Sequence, residues 1–171
     1  MEQKLRYTLR PARSEDESFL WDMLYYAAHM DEEDGVSLQK ARNNPALAKY
    51  VQHWGLQGDV GCVAVESDTE QPIGAAWVRL LTGTDKVSSI IDDTTPELAV
   101  AVLPEYIGQG IGTQLLTQLL NAAKAVYSAV VLSVRATNPA KQLYERVGFV
   151  VVDEIINRVG GKSFVMKVEL R

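Results

Sequence analysis

The sequence predicts one mixed α/β domain, and three observations carry that prediction. Over Glu97–Val134 an apolar run, a glycine-rich turn, an amphipathic stretch and a second, valine-rich apolar run follow one another. That is the order of a βαβ unit with a parallel strand pair. Upstream, Val60–Glu66 and Ile73–Leu81 read as the two strands of a hairpin around Ser67–Pro72. Finally, 171 residues that are 47% hydrophobic and 23% charged suffice for one ordinary core, since a chain of this size buries about two-thirds of its unfolded surface.

The remaining elements fall into place in chain order. Leu5–Arg10 alternates apolar and polar residues as a half-buried strand does, and Pro11–Ser14 breaks it. Ser14 with Glu17 three residues later forms a capping box that opens a helix running to about His29. Phe19, Leu20, Met23, Leu24 and Ala27 make its apolar face. The acidic break Asp31–Gly35 reads as a solvated loop. Ser37–Trp54 is helical in two pieces around Asn43–Pro45, Gly55–Asp59 is a turn, and Thr82–Thr95 has no assignable period.

Within the second half, Glu97–Leu103 is a strand and Gly108–Gly112 the turn. Thr113–Tyr127 is a helix burying Leu115, Leu116, Leu119 and Leu120, and Ala129–Val134 is a buried strand. Asn138 and Pro139 open a last helix as N-cap and first helical residue, and Gly148 closes it. Phe149–Ile156 and Ser163–Leu170 finish the chain as strands joined by a turn at Gly160 and Gly161. The whole of 1–171 reads as a single domain without repeat or linker.

Composition excludes several function classes. A net charge of −5 argues against a nucleic-acid partner, which calls for a basic face. No apolar run reaches the ~18 residues of a membrane span, and the start lacks the apolar core of a signal peptide. The single cysteine, Cys62, permits no internal disulfide and reads as a small core hydrophobe, so the expected compartment is the cytoplasm. His29, His53 and Cys62 are too scattered for a metal site, and no metal is expected.

The chemistry concentrates at Gly108, Gln109, Gly110, Ile111, Gly112 and Thr113. Alternating glycines let consecutive N–H groups approach a ligand, and the following helix start adds unpaired donors and a positive dipole end. This suits a phosphate or pyrophosphate, although such turns also form for structural reasons alone. A P-loop would place Lys-Ser or Lys-Thr after its last glycine, and a dinucleotide fingerprint would place glycine or alanine at Thr113. Neither is present.

A third pattern fits. The stretch from Glu97 through Pro104-Glu-Tyr-Ile-Gly-Gln-Gly-Ile-Gly-Thr113 resembles the acetyl-CoA signature of the GNAT superfamily of N-acetyltransferases. Downstream, Asn138-Pro-Ala-Lys-Gln-Leu-Tyr144-Glu-Arg-Val-Gly148-Phe149 resembles that family's second hallmark, at the family's separation. The resemblance implies a central mixed, twisted β-sheet splayed beside the cofactor strand and flanked by helices. It implies acetyl-CoA as acyl donor and an amine as acceptor, without saying which amine. A small molecule is the expected acceptor, and a homodimer is left open. The rival readings are a larger acyl group, a protein amine, or a CoA-binding sensor without turnover. Ile107 departs from the pattern, standing where the family usually has Arg or Gln.

By the same resemblance, the backbone of Val100, Ala101 and Val102 pairs with the pantetheine arm, Gly108–Thr113 holds the pyrophosphate, and Asn138 approaches the cofactor. Tyr144 falls on the family's tyrosine beside the thioester sulfur. A phenol with a reference pKa near 10 is protonated at neutral pH and can donate to a departing thiolate. A general base is also needed, because an alkylamine of pKa near 10.4 is mostly protonated and freeing it costs about 4–5 kcal/mol at pH 7. Glu97 is the candidate, since alternation puts it on the side of Ala99 and Ala101, whose small side chains leave room for a ligand. The ribosomal-protein acetylating branch places its base where Ser133 stands here, so that role is absent. Glu66, Asp31 and His29 are the reserve candidates. Among the aromatics of the acceptor half, Trp21, Tyr25, Tyr26, Trp54 and Trp77 read mostly as core.

Overall fold

The computed structural model describes residues 5–32 and 35–170, so Glu33 and Asp34 of the acidic break lie outside the described residues. Among the described residues, seven strands form one sheet: β1 (Tyr7–Pro11), β2 (Val60–Glu66), β3 (Pro72–Arg79), β4 (Glu97–Val102), β5 (Ala129–Arg135), β6 (Val150–Ile156) and β7 (Lys162–Glu169). Their order is β1-β2-β3-β4-β5-β7-β6, and every neighbouring pair is antiparallel except β4 and β5. The helices are α1 (Glu17–Ala27), α2 (Leu38–Arg42), α3 (Pro45–Ala48), α4 (Ile111–Ala123) and α5 (Ala140–Val147).

Both faces of the central strands are covered, and the strand sequences show it. Ile73, Ala76 and Val78 of β3 pack with Leu115, Leu116 and Leu119 of α4, while Ala75 and Trp77 pack with Leu20, Met23 and Leu24 of α1. Cys62 belongs to the α4 side, and burial pushes its thiol up to about 11, which bears out its reading as core. Trp21, Trp54 and Trp77 are buried on the α1 side as expected.

Three boundaries differ from the sequence reading, each for a local reason. The capping contact falls in the short turn Ser14–Asp16 that leads into α1, where Asp16 accepts the Arg13 N–H at 2.7 Å, and the Ser14 and Glu17 pair does not form one. Glu17 instead accepts the Trp54 N–H at 3.0 Å, tying α1 to the segment before β2. The central helix starts at Ile111 and not Thr113, because Gly110 in the left-handed conformation (φ 79°) already serves as its N-cap. It ends at Ala123, after which tighter turns carry the chain to Tyr127. The last helix begins at Ala140, and Asn138 Oδ1 accepts the Ala140 N–H at 2.9 Å.

The departure from regular pairing that opens the sheet lies between β4 and β5. β4 is paired with β3 over its whole length, from Arg79 opposite Glu97 to Gly74 opposite Val102. With β5 it shares a single rung, Glu97 opposite Val131. Beyond that rung the two parallel strands diverge, and the sheet opens between them.

Candidate active site

The opening between β4 and β5 is a cleft of about 650 Å³. Glu97, Val100, Ala101, Val102, Asn138 and Tyr144 all line it, so the strand, the last helix and its cap converge on one cleft. The turn Gly108–Thr113 is not part of the cleft wall. The wall reaches Pro104 and Ile107, and the turn continues from there into α4.

The backbone of Val100–Val102 faces this cleft on an edge that β5 does not pair. Its N–H and C=O groups are therefore available to an extended ligand arm. Gly108 and Gly110 adopt φ of 87° and 79°, and a Cβ at either would meet nothing within 4 Å. The glycines are needed for left-handed backbone, and the space over them is open. The first N–H groups of α4 have no intrahelical acceptor, and no side chain caps them. This combination fits an acyl-CoA with its phosphates over the turn and its arm along β4. Ile107 is 68% exposed and adds no charge.

Glu97 sits where the cleft begins. The unbroken register with β3 preserves strand alternation, so Glu97 shares a face with Ala99 and Ala101. Its carboxylate is buried; Oε1 accepts the Tyr50 hydroxyl at 3.3 Å, and Oε2 has no hydrogen-bond partner. Desolvation raises its pKa to about 7, against smaller lowering effects from Lys49 and the Tyr50 hydrogen bond. Tyr50 is raised in turn, chiefly by burial and then by Glu97. Arg79, the ladder partner of Glu97, is committed elsewhere. Its Nε and Nη2 donate to Asp59 at 3.0 and 2.7 Å, and its Nη1 donates to the Gln52 carbonyl at 2.7 Å. Arg79 thus makes no ion pair with Glu97 and instead pins the 49–59 segment that carries Tyr50.

That arrangement has a thermodynamic consequence. The native carboxyl keeps its proton up to about pH 7, whereas the unfolded chain releases it near 4.5. The native state binds more protons in that window, so stability falls as pH rises through it. Glu97→Gln is expected to raise stability at pH 8 by on the order of 3 kcal/mol and to change it little at pH 4. Urea melts of both proteins at the two pH values check this.

Tyr144 lies on the other wall, carried by α5. It is 9% exposed, and its ring meets Phe149 edge-on at 5.9 Å. Burial raises its pKa to about 12, which keeps the phenol protonated.

The reserve candidates divide. Asp31 and His29 line the cleft, while Glu66 lies outside it and accepts the Tyr106 hydroxyl at 2.9 Å. Ser133 lines the cleft too, on β5. Tyr50 and Lys49 were not among the sequence candidates. They follow α3 in a turn without periodicity, and only the fold brings them to Glu97.

The family model for the acetyltransferase (GNAT) domain matches residues 56–151, which include β2–β5, α4 and α5. An N-alpha-acetyltransferase of Sulfurisphaera tokodaii is 47% identical over 55 residues, 30% of this chain, and the match spans about a third (33%) of that relative's length. A chimera of the spermidine N-acetyltransferase SpeG from Vibrio cholerae with hSSAT superposes with a TM-score of 0.66 at 20% identity, over 96% of this chain and 95% of its own. The structure of yncA from Salmonella typhimurium with its cofactor acetyl-CoA superposes with a TM-score of 0.68 at 21% identity, over 96% of this chain and 94% of its own. At these identities the two structures speak to the fold.

Proposed function

The chain belongs to the GNAT acetyltransferase family, and from that premise we propose that it is an N-acetyltransferase moving an acetyl group from acetyl-CoA to a primary amine of a small molecule. The observation that carries this reading is the single rung between β4 and β5, which opens a cleft with a raised carboxyl at its base and a protonated phenol on its wall. The donor supplies an acetyl thioester. Val100–Val102 orient its arm through backbone groups, and the Gly108–Thr113 turn receives its phosphates. Glu97 takes a proton from the attacking amine, directly or through water, and Tyr144 donates to the departing sulfur.

The position of Glu97 favours an amine over a hydroxyl acceptor, since a carboxylate of pKa about 7 is within a few units of an alkylamine. A sensor that binds CoA without turnover is the second reading, left open by Ser133, which stands on the cleft where one branch of the family has its glutamate base, and by the apolar Ile107 before the phosphate turn. Thiol release from acetyl-CoA over a panel of amines, amino acids and peptides separates the readings. Turnover on small amines supports the proposal. Turnover on peptides alone moves the acceptor to protein amines, and CoA binding without turnover on any amine leaves the sensor.

A further inference from the structure

His29 is the first residue after α1 with a left-handed backbone, at φ 59°. For a non-glycine residue this costs about 1 kcal/mol or more, so its side chain or its place in the turn must compensate. Its imidazole lies at the cleft, with Nε2 3.3 Å from Asn138 Nδ2 and Nδ1 3.3 Å from Glu32 Oε2.

The hydrogen-bond roles follow from one fixed point. Asn138 Oδ1 already accepts the Ala140 N–H at 2.9 Å, so the amide cannot turn over without losing the cap of α5. Its NH2 group therefore faces His29, and Nε2 must accept. The ring proton then resides on Nδ1, where it donates to Glu32. Asn138 Nδ2 carries two hydrogens, and His29 engages one of them. The other is left for a further acceptor, and Asn138 lines the cleft. The segment does not rely on the imidazole for its position: Arg135 and Arg158 both donate to the Ala28 carbonyl, at 3.2 and 3.1 Å.

We infer that His29 is a positioning residue for the acyl donor: it holds the Asn138 amide so that its second N–H points at an amide carbonyl of the extended arm lying along β4. This rests on the acyl-CoA reading above. His29 neither gains nor loses a proton in this role. Glu32 and His29 fix an orientation, and Asn138 makes the contact.

Calorimetric titration of the full chain with CoA tests it, because binding needs no turnover. His29→Phe keeps a ring but removes the acceptor, and is expected to weaken CoA binding about five-fold, the effect of one neutral hydrogen bond. His29→Asn accepts a left-handed backbone readily but is too short to reach Asn138, and should show the same loss. His29→Gln, long enough to offer an acceptor, should stay within about two-fold of the unmodified protein. In an Asn138→Ala background, His29→Phe should have no further effect, as expected for coupled partners. Unchanged affinity in His29→Phe and His29→Asn, or the same five-fold loss persisting in Asn138→Ala, overturns the inference while leaving the CoA site intact. An unmodified protein that does not bind CoA overturns both readings together.

Discussion

Tyr144→Phe is expected to lower kcat for acetyl transfer by about 10²–10³-fold with little change in CoA affinity. The hydroxyl is the only group removed, and burial alone, with no hydrogen bond, sets its raised pKa, so no charged partner is stranded. The ring keeps its edge-on contact with Phe149 and its place against the α4 side of the core. The change therefore reports on chemistry more than on folding. A pKa of about 12 makes the phenol a poor proton donor at first sight. A departing thiolate has a pKa near 8.5, so in the proposed reaction Tyr144 would act chiefly as a hydrogen-bond donor that strengthens as charge builds on sulfur. Stopped-turnover thiol release gives kcat, and calorimetry gives the affinity. A kcat within two-fold of the unmodified protein would return Tyr144 to the role of a core aromatic.

The second large effect concerns Glu97. Glu97→Gln is expected to reduce kcat/KM at pH 8 by about 10²-fold and to remove the acid limb of the pH profile. For the unmodified protein that limb follows deprotonation of the carboxyl, so activity rises with pH through about 7. Basicity is the reason. Raising the carboxyl from 4.5 to about 7 makes proton transfer from the amine less uphill by on the order of 3 kcal/mol. The same shift destabilises the native state above pH 7, so one desolvated carboxyl carries both effects. A profile whose acid limb survives in Glu97→Gln would assign the limb to another group, with Asp31 and His29 next in reach of the cleft.

Local features of the chain were readable from the sequence where local physics decides them. The hairpin β2–β3, the strand β4, the turn after it and the helix α4 follow from alternation, glycine placement and leucine spacing within short windows. Cys62 as core follows from its alternating neighbours. The stretch Thr82–Thr95 was not readable, because it is organised by side-chain contacts: the Asp92 carboxylate accepts from the Thr94 and Thr95 hydroxyls, and Lys86 pairs with Asp93. Such bonds leave no period. The site divides along the same line. Glu97 and Tyr144 lie inside patterned elements, whereas Tyr50 reaches Glu97 only because Arg79 and Asp59 fasten an irregular segment across the sheet. The His29–Asn138 contact spans 109 positions and rests on an unusual φ, which no short window contains.

The lone rung between β4 and β5 also bears on solubility. An unpaired strand edge is normally a liability, because its row of donors and acceptors templates pairing with another chain. Proteins blunt such edges with charge, proline or bulges, and Val100–Val102 has none of these. Its protection is its location. The edge runs inside the molecule between two walls, with α5 and β5 across the gap. Whatever pairs with this edge must enter between those walls, so the shape that leaves the donors and acceptors free also limits what reaches them.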